Sequence, residues 1–207
     1  MKTVKIFIKT YILTSCFFLL LIGCGKGSEE RRQTMEDNNE LLETNEDVVG
    51  SQDNEDREKT ATANITSASG SKVTGQATFT SRGDNKVKFE LTVENIAEGS
   101  HAVHLHEKGD CSASDAKSAG AHWNPTNEEH GKRGTDAFHK GDIGNMDVGS
   151  DGKGSMTMTI EGWCVGGAAD CDILNKAVII HAKGDDFVSQ PSGAAGDRIG
   201  CGVIEKQ

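Results

Sequence analysis

The stretch HAVHLHEKGDC, residues 101 to 111, sets three histidines, two acids and a cysteine within eleven positions. All seven histidines of the chain lie between residues 101 and 181, a confinement that scattered surface residues would not show and that a shared site explains. His104 and His106 stand two apart in a run with strand character. The two-residue period of a strand turns both imidazoles to one face, as joint ligands of one ion require. His101 is out of phase with them and fits a structural hydrogen bond better than a ligand. Alone, His-x-His is equally a pattern of buried, hydrogen-bonded histidines, so the weight falls on what joins it. His122, His130, His139 and Asp142 follow in HWNPTNEEHGKRGTDAFHKGD, and His181 closes the run NKAVIIHA. Imidazole suits copper and zinc, and three imidazoles with one carboxylate make a closed tetrahedral zinc site. Seven candidate ligands exceed what one transition-metal ion accepts, which points to two ions. Two separate sites would be short of ligands unless one imidazole bridges both ions through its two nitrogens.

Such ligands need a rigid frame, and the surrounding sequence supplies one. From Ala63 the chain breaks into the β-type runs ANITSAS, KVTGQATFTS, KVKFELTVENI and HAVHLHE, separated by SG, RGDN and EGS. From Val87 to Val93 odd positions are apolar and even ones polar, the alternation of a half-buried antiparallel strand. SMTMTIEG and NKAVIIHA continue the series, and Asp151-Gly152 marks a turn. Short strands at close spacing, with almost no helical periodicity, predict an all-β antiparallel sandwich or barrel. Lys108 to about Ile143 and Gly184 to Ile199 are too long for hairpins, and long ordered loops in a compact domain are usually functional.

The cysteines and the N-terminal segment bear on the compartment. Cys111, Cys164, Cys171 and Cys201 lie in the expected folded part, an even number suited to an oxidising environment. Four cysteines allow three pairings; spacing favours Cys164 with Cys171, leaving Cys111 with Cys201. The long bridge would close a loop of about 90 residues, worth on the order of 4 to 5 kcal/mol in the chain-entropy account before native strain is subtracted. A four-thiolate zinc site is disfavoured because no C-x2-C pair exists. Residues 1 to 24 carry Lys2, Lys5 and Lys9 and then an apolar run from about Tyr11 to Ile22, the grammar of a signal peptide. The run ends in Leu21-Ile22-Gly23-Cys24, which resembles a bacterial lipoprotein cleavage site, with Cys24 lipidated and Cys16 lost with the leader. Residues 24 to 62 then form an acidic tether: Gly25 to Thr62 holds 12 acids against 5 bases and too few apolar residues to fold alone. The expected domains are therefore a leader over 1 to 23, the tether, and a folded part over 63 to 207. No basic patch points to a nucleic-acid partner.

The order H-x-H, SAG-x-H-x-NP, H-x8-H-x-GD, VIIHAK-x-DD and GDRIGCGVI resembles a bacterial copper/zinc superoxide dismutase over residues 63 to 207. The resemblance implies a Greek-key β-sandwich or flattened barrel of about eight strands with two long functional loops. It implies copper held by His104, His106, His122 and His181, and zinc held by His122, His130, His139 and Asp142, with His122 as the bridge. It makes Asp185 the carboxylate that hydrogen-bonds His104 and His130, and Arg198 the guanidinium that attracts superoxide, with Lys183 as a second cation nearby. Cys111 and Cys201 match the family's disulfide, while Cys164 and Cys171 are additional and read as a local staple of GWCVGGAADCD. The chain departs from the family at Ala102-Val103-His104, where G-F-H is common, without losing a ligand. The implied activity is conversion of superoxide to oxygen and hydrogen peroxide by a lipid-anchored, extracytoplasmic enzyme at a bacterial cell envelope. The alternative is a copper- and zinc-binding or metal-transfer module of the same fold without turnover.

Overall fold

The computed structural model describes residues 58–207. The expected leader, Cys24 and most of the tether lie outside the described residues. Strand β1 (Thr60–Ser67) begins three residues before the expected Ala63, and is followed by β2 (Thr74–Ser81), β3 (Lys86–Glu94) and β4 (Gly99–His106). After a long loop come β5 (Asp142–Val148) and β6 (Lys153–Glu161), then β7 (Ala177–His181), β8 (Arg198–Val203) and the short β9 (Glu205–Lys206).

The ladder runs β2-β3-β6-β5-β4-β7-β8-β1-β9 and is closed by pairing of β1 with β2. All pairings are antiparallel. The result is an eight-stranded Greek-key barrel with β9 added to β1. Closure removes the free edges an open sheet would present. The chain crosses the barrel at β3–β4 and β6–β7, because each of these consecutive pairs is not adjacent in the ladder.

Inward positions follow the alternation. Phe79, Phe89, Leu91 and Val93 join Val103, Leu105, Ile160, Trp163, Val178 and Ile180 in one apolar core, and Phe79 and Phe89 sit with ring centroids 5.3 Å apart. Strand β4 departs from alternation, since His101 through His106 are all buried. Val103 and Leu105 face the core, while His104 and His106 on the other face are covered by the loops over residues 107–141 and 182–197.

Two strands lie at the ends of segments expected as loop. Strand β5 starts at Asp142 and carries Gly144 at φ 140°. Strand β8 contains Gly200 and Gly202, which weaken any propensity-based expectation of a strand. The glycines are required by packing. A Cβ at Gly200 would come 3.0 Å from Ile65 Cγ2, and one at Gly202 would come 2.7 Å from the Asn64 carbonyl.

Candidate metal centre

Strands β4 and β7 are neighbours, with His104 opposite Ile179. Irregularities in register fall between Val103 and His104 and between Ile180 and His181. Such bulges re-aim the following side chain, here the two histidines. His122 is brought alongside by an isolated bridge to His106. His104, His106, His122 and His181 each offer one ligand atom, and these four atoms lie within 4.8 Å of one another. His122, His130, His139 and Asp142 form a second such group. His122 is common to both, and its ring centroid is 4.1 Å from that of His104.

The nitrogens show which atoms are available to a ligand. The Nε2–H of His104 donates to Asp185 Oδ2 at 2.8 Å, the Nδ1–H of His106 to the Gly120 carbonyl at 2.9 Å, and the Nδ1–H of His181 to the Gly196 carbonyl at 3.3 Å. These bonds fix the tautomers. His104 Nδ1, His106 Nε2, His122 Nε2, His130 Nδ1 and His181 Nε2 are left buried without a hydrogen-bond partner. A buried unsatisfied polar atom costs about 1–3 kcal/mol, so convergence of several on one point is the signature of a cation-binding cage. Burial, reinforced by neighbouring histidines and Arg198, holds His106 well below the usual histidine range and lowers His181 to about 3. Burial likewise lowers His122 to about 4 against the opposing pull of Asp142. All three are therefore neutral at pH 7, with lone pairs free.

On the second side a carboxylate takes the central place. Asp142 Oδ1 lies 2.8 Å from His122 Nδ1 and 3.3 Å from His139 Nδ1, and its Oδ2 lies 3.0 Å from His130 Nδ1. The His130 contact is short but lacks hydrogen-bond alignment, consistent with two donor atoms facing a common point. Asp142 Oδ2 also accepts from the backbone N–H of His139 at 2.8 Å and of Gly131 at 3.2 Å. Burial raises the Asp142 carboxyl, but the facing imidazoles of His122, His130 and His139 and the His139 backbone N–H outweigh it and hold the group ionised well below the usual range. Burial also pushes His130 down, yet the two facing carboxylates, Asp142 and the hydrogen-bonded Asp185, win and raise it to about 9. The donor set, three imidazoles and one carboxylate, fits zinc, and the four-imidazole group fits copper.

Asp185 joins the two sides. Its Oδ2 accepts from His104 and its Oδ1 from His130 Nε2 at 2.9 Å. The Asp185 main chain is held by Asn145, whose Oδ1 accepts from the Asp185 N–H at 2.7 Å and whose amide donates to the Asp185 carbonyl at 2.9 Å. Gly193, at φ 64°, passes so close that any Cβ would overlap Asp185 Oδ1. His101 lies outside both groups and contacts two carbonyls, of His181 at 2.8 Å and of Ala97 at 2.9 Å.

A pocket of about 410 Å³ opens over the first group, lined by His106, His122, His139, His181, Asn124 and Arg198 among others. The Arg198 guanidinium donates to the carbonyls of Ala116 and Gly120, both at 2.8 Å. Lys183 is exposed and does not line this pocket, so the local cation is Arg198. The Cys111–Cys201 disulfide, with Cα atoms 5.8 Å apart, ties the loop carrying Ala116 and Gly120 to β8. The Cys164–Cys171 bridge closes its own short loop. Residues that sequence reasoning missed act largely through backbone. Gln190 accepts from the His130 N–H at 2.9 Å and donates to the His130 carbonyl at 2.8 Å, and Arg133 Nε donates to the Asp142 carbonyl at 2.7 Å.

Two histidine-rich donor groups with a shared imidazole, on a Greek-key barrel, define a class of protein. The family model for copper/zinc superoxide dismutase matches residues 73–204, and the chain belongs to that family. A superoxide dismutase-like protein of Bacillus subtilis (strain 168), YojM, is 35% identical over 125 residues, 58% of this chain and 64% of the relative's length. The crystal structure of a double mutant of a SOD-like protein from Bacillus subtilis superposes with TM-score 0.63 at 33% identity, covering 69% of this chain and 95% of that one. The clock protein EA4 superposes with TM-score 0.63 at 30% identity, covering 70% and 92%.

Proposed function

We propose that the protein is a superoxide dismutase, with copper held by His104, His106, His122 and His181 and zinc by His122, His130, His139 and Asp142. The observation that carries this reading is the pair of donor groups sharing His122, with unpartnered imidazole nitrogens turned inward and Arg198 lining the pocket above. Bound copper would supply one-electron redox chemistry, taking an electron from one superoxide and giving one to the next, which zinc does not do.

The chain's own residues do the rest. Arg198, fixed by two carbonyls, presents a localised positive charge to a small anion. A focused local field can draw an anion despite the chain's net charge of −10. His122 lines the pocket, with Nδ1 anchored toward Asp142 and Nε2 free, which suits it to carry a proton to the reduced product. Asp185 holds the rings of His104 and His130 in register.

The leader-like segment with Cys24, and two disulfides, support a lipid-anchored protein outside the cytoplasm, on the reading that Cys24 follows a lipoprotein cleavage site. Superoxide is anionic and crosses membranes poorly, which gives an envelope enzyme its purpose. The names of the Bacillus relatives, superoxide dismutase-like and SOD-like, make a direct assay of turnover decisive. Purified protein with copper and zinc should remove superoxide, while the zinc-only form should not. Stoichiometric binding of both metals without turnover would overturn the enzyme and leave a metal-binding or metal-transfer module.

A further inference from the structure

The cysteines of the Cys164–Cys171 bridge stand seven positions apart, and the residues just before them converge on one point of the zinc-side loop. The indole Nε1–H of Trp163, before Cys164, donates to the Lys140 carbonyl at 2.9 Å. The Nζ of Lys140 donates to the carbonyl of Asp170, before Cys171, at 2.6 Å and lies 3.9 Å from the Asp170 carboxylate. Lys140 is thus gripped at its main chain by one end of the disulfide loop and at its side chain by the other. It stands directly after His139 and two residues before Asp142. The Arg133 guanidinium strengthens the same junction, donating to the carbonyls of Lys140 and Asp142 and lying over the rings of Phe138 and Trp163 at 5.1 and 5.4 Å.

We infer that the Cys164–Cys171 disulfide is a redox-sensitive clamp that positions the zinc-side ligand loop through Lys140; this rests on the two-metal reading above. The bridge fixes the separation of Trp163 and Asp170, and with it the seat of Lys140. Inside the loop, the cysteines are paired by Cys164 N–H to the Cys171 carbonyl at 2.8 Å. Gly167 passes over the bridge, since a Cβ there would sit 2.6 Å from Cys164 Sγ. On the other face Cys164 is partly exposed, while Cys171 is 5% exposed. Cys164 and Cys171 line a cleft of about 630 Å³ at the barrel end, together with Lys59, Arg82 and Asn85. The Cys111–Cys201 bridge has the same division, with Cys111 partly exposed and Cys201 3% exposed in a small core with Ala68, Ala177 and Ile179. Access governs exchange, so attack falls on Cys164, the less buried of the two sulfurs.

Opening requires a dithiol reductant. One of its thiolates attacks Cys164 Sγ, and the electron pair of the S–S bond leaves on the Cys171 sulfur, which takes a proton. The second thiol of the reductant then displaces Cys164 as a thiol, and the reductant departs as its own disulfide. The copper-side histidines on β4 and β7 make no contact with this loop among the hydrogen bonds described, so the effect falls first on the zinc side and reaches the copper side only through the shared His122 and through Asp185.

The test compares the full oxidised chain, the C164S/C171S variant, the wild type opened with dithiothreitol at this bridge alone as judged by intact mass, and Lys140→Met with both bridges kept. Zinc and copper affinities are measured separately by chelator competition, and amide exchange over residues 138–142 is followed in the metal-free chain. The expected result is a loss of zinc affinity of about ten-fold on opening the bridge, a smaller loss for Lys140→Met, a much smaller change in copper affinity, and faster exchange at 138–142 but not in β4 or β7. Unchanged zinc affinity and exchange, or equal losses for both metals, would overturn the clamp. If the oxidised wild type binds no zinc, the two-metal reading fails, and the exchange data still decide the clamp.

Discussion

The two halves of the candidate metal centre use similar donors but are built differently. His104, His106 and His181 stand on hydrogen-bonded neighbouring strands, with the barrel core directly beneath. His130 and His139 stand on a loop without regular structure, and only Asp142 begins a strand. On the strand side, ladder pairing sets ring positions. On the loop side the same work falls to individual contacts from Gln190, Arg133 and Trp163 to backbone groups. Elements with fewer packed contacts open more easily, so the loop side is where ion binding and chain ordering should be most tightly coupled.

The largest expected effect falls on the strand side. His106→Ala should reduce superoxide removal to background while chelator competition still shows zinc bound; loss of both metals would show the halves to be inseparable. Asp185→Asn should strike both halves, because one carboxylate orients a ring in each, lowering both affinities by about 10–100-fold. A zinc-only effect would mean that β4 alone fixes His104.

Acid should separate the halves further. In the metal-free chain His130, raised to about 9, carries a proton at pH 7, whereas His122 and His181, lowered to about 4 and about 3, do not. Zinc must expel that proton, so its affinity should fall about ten-fold for each unit of pH below 9. Copper affinity should depend less steeply on pH, because His122 and His181 are already neutral over this range, as measured by isothermal titration across pH. Arg198→Ala should lower the rate constant for superoxide about ten-fold and flatten its dependence on ionic strength, with both affinities unchanged. His101→Ala should cost about 1–3 kcal/mol in urea unfolding, the smallest effect, with both metals retained.

Much of this arrangement is legible in residue order. Strands β3, β4, β6 and β7 announce themselves by alternation or apolar runs, and the ligand types stand out because histidine is concentrated in one stretch. Strand β8 is hidden because glycine carries no pattern; its place is dictated by Ile65 and Ile180 filling the space a side chain would take. Asp185 could be connected with His104 and His130 only through resemblance, since nothing local links residues so far apart. The roles of Gly193, Gln190 and Arg133 were silent because they act on main-chain atoms or by leaving room. Lys183 has the expected charge, yet its loop turns it to solvent.

The Gly120 carbonyl accepts from both His106 and Arg198. A single peptide oxygen is therefore the common datum for a proposed copper ligand and for the cation proposed to meet the substrate. One acceptor thus ties a ring on β4 to a guanidinium on β8, and on the proposed reading it would keep the point of anion capture in line with the point of electron transfer.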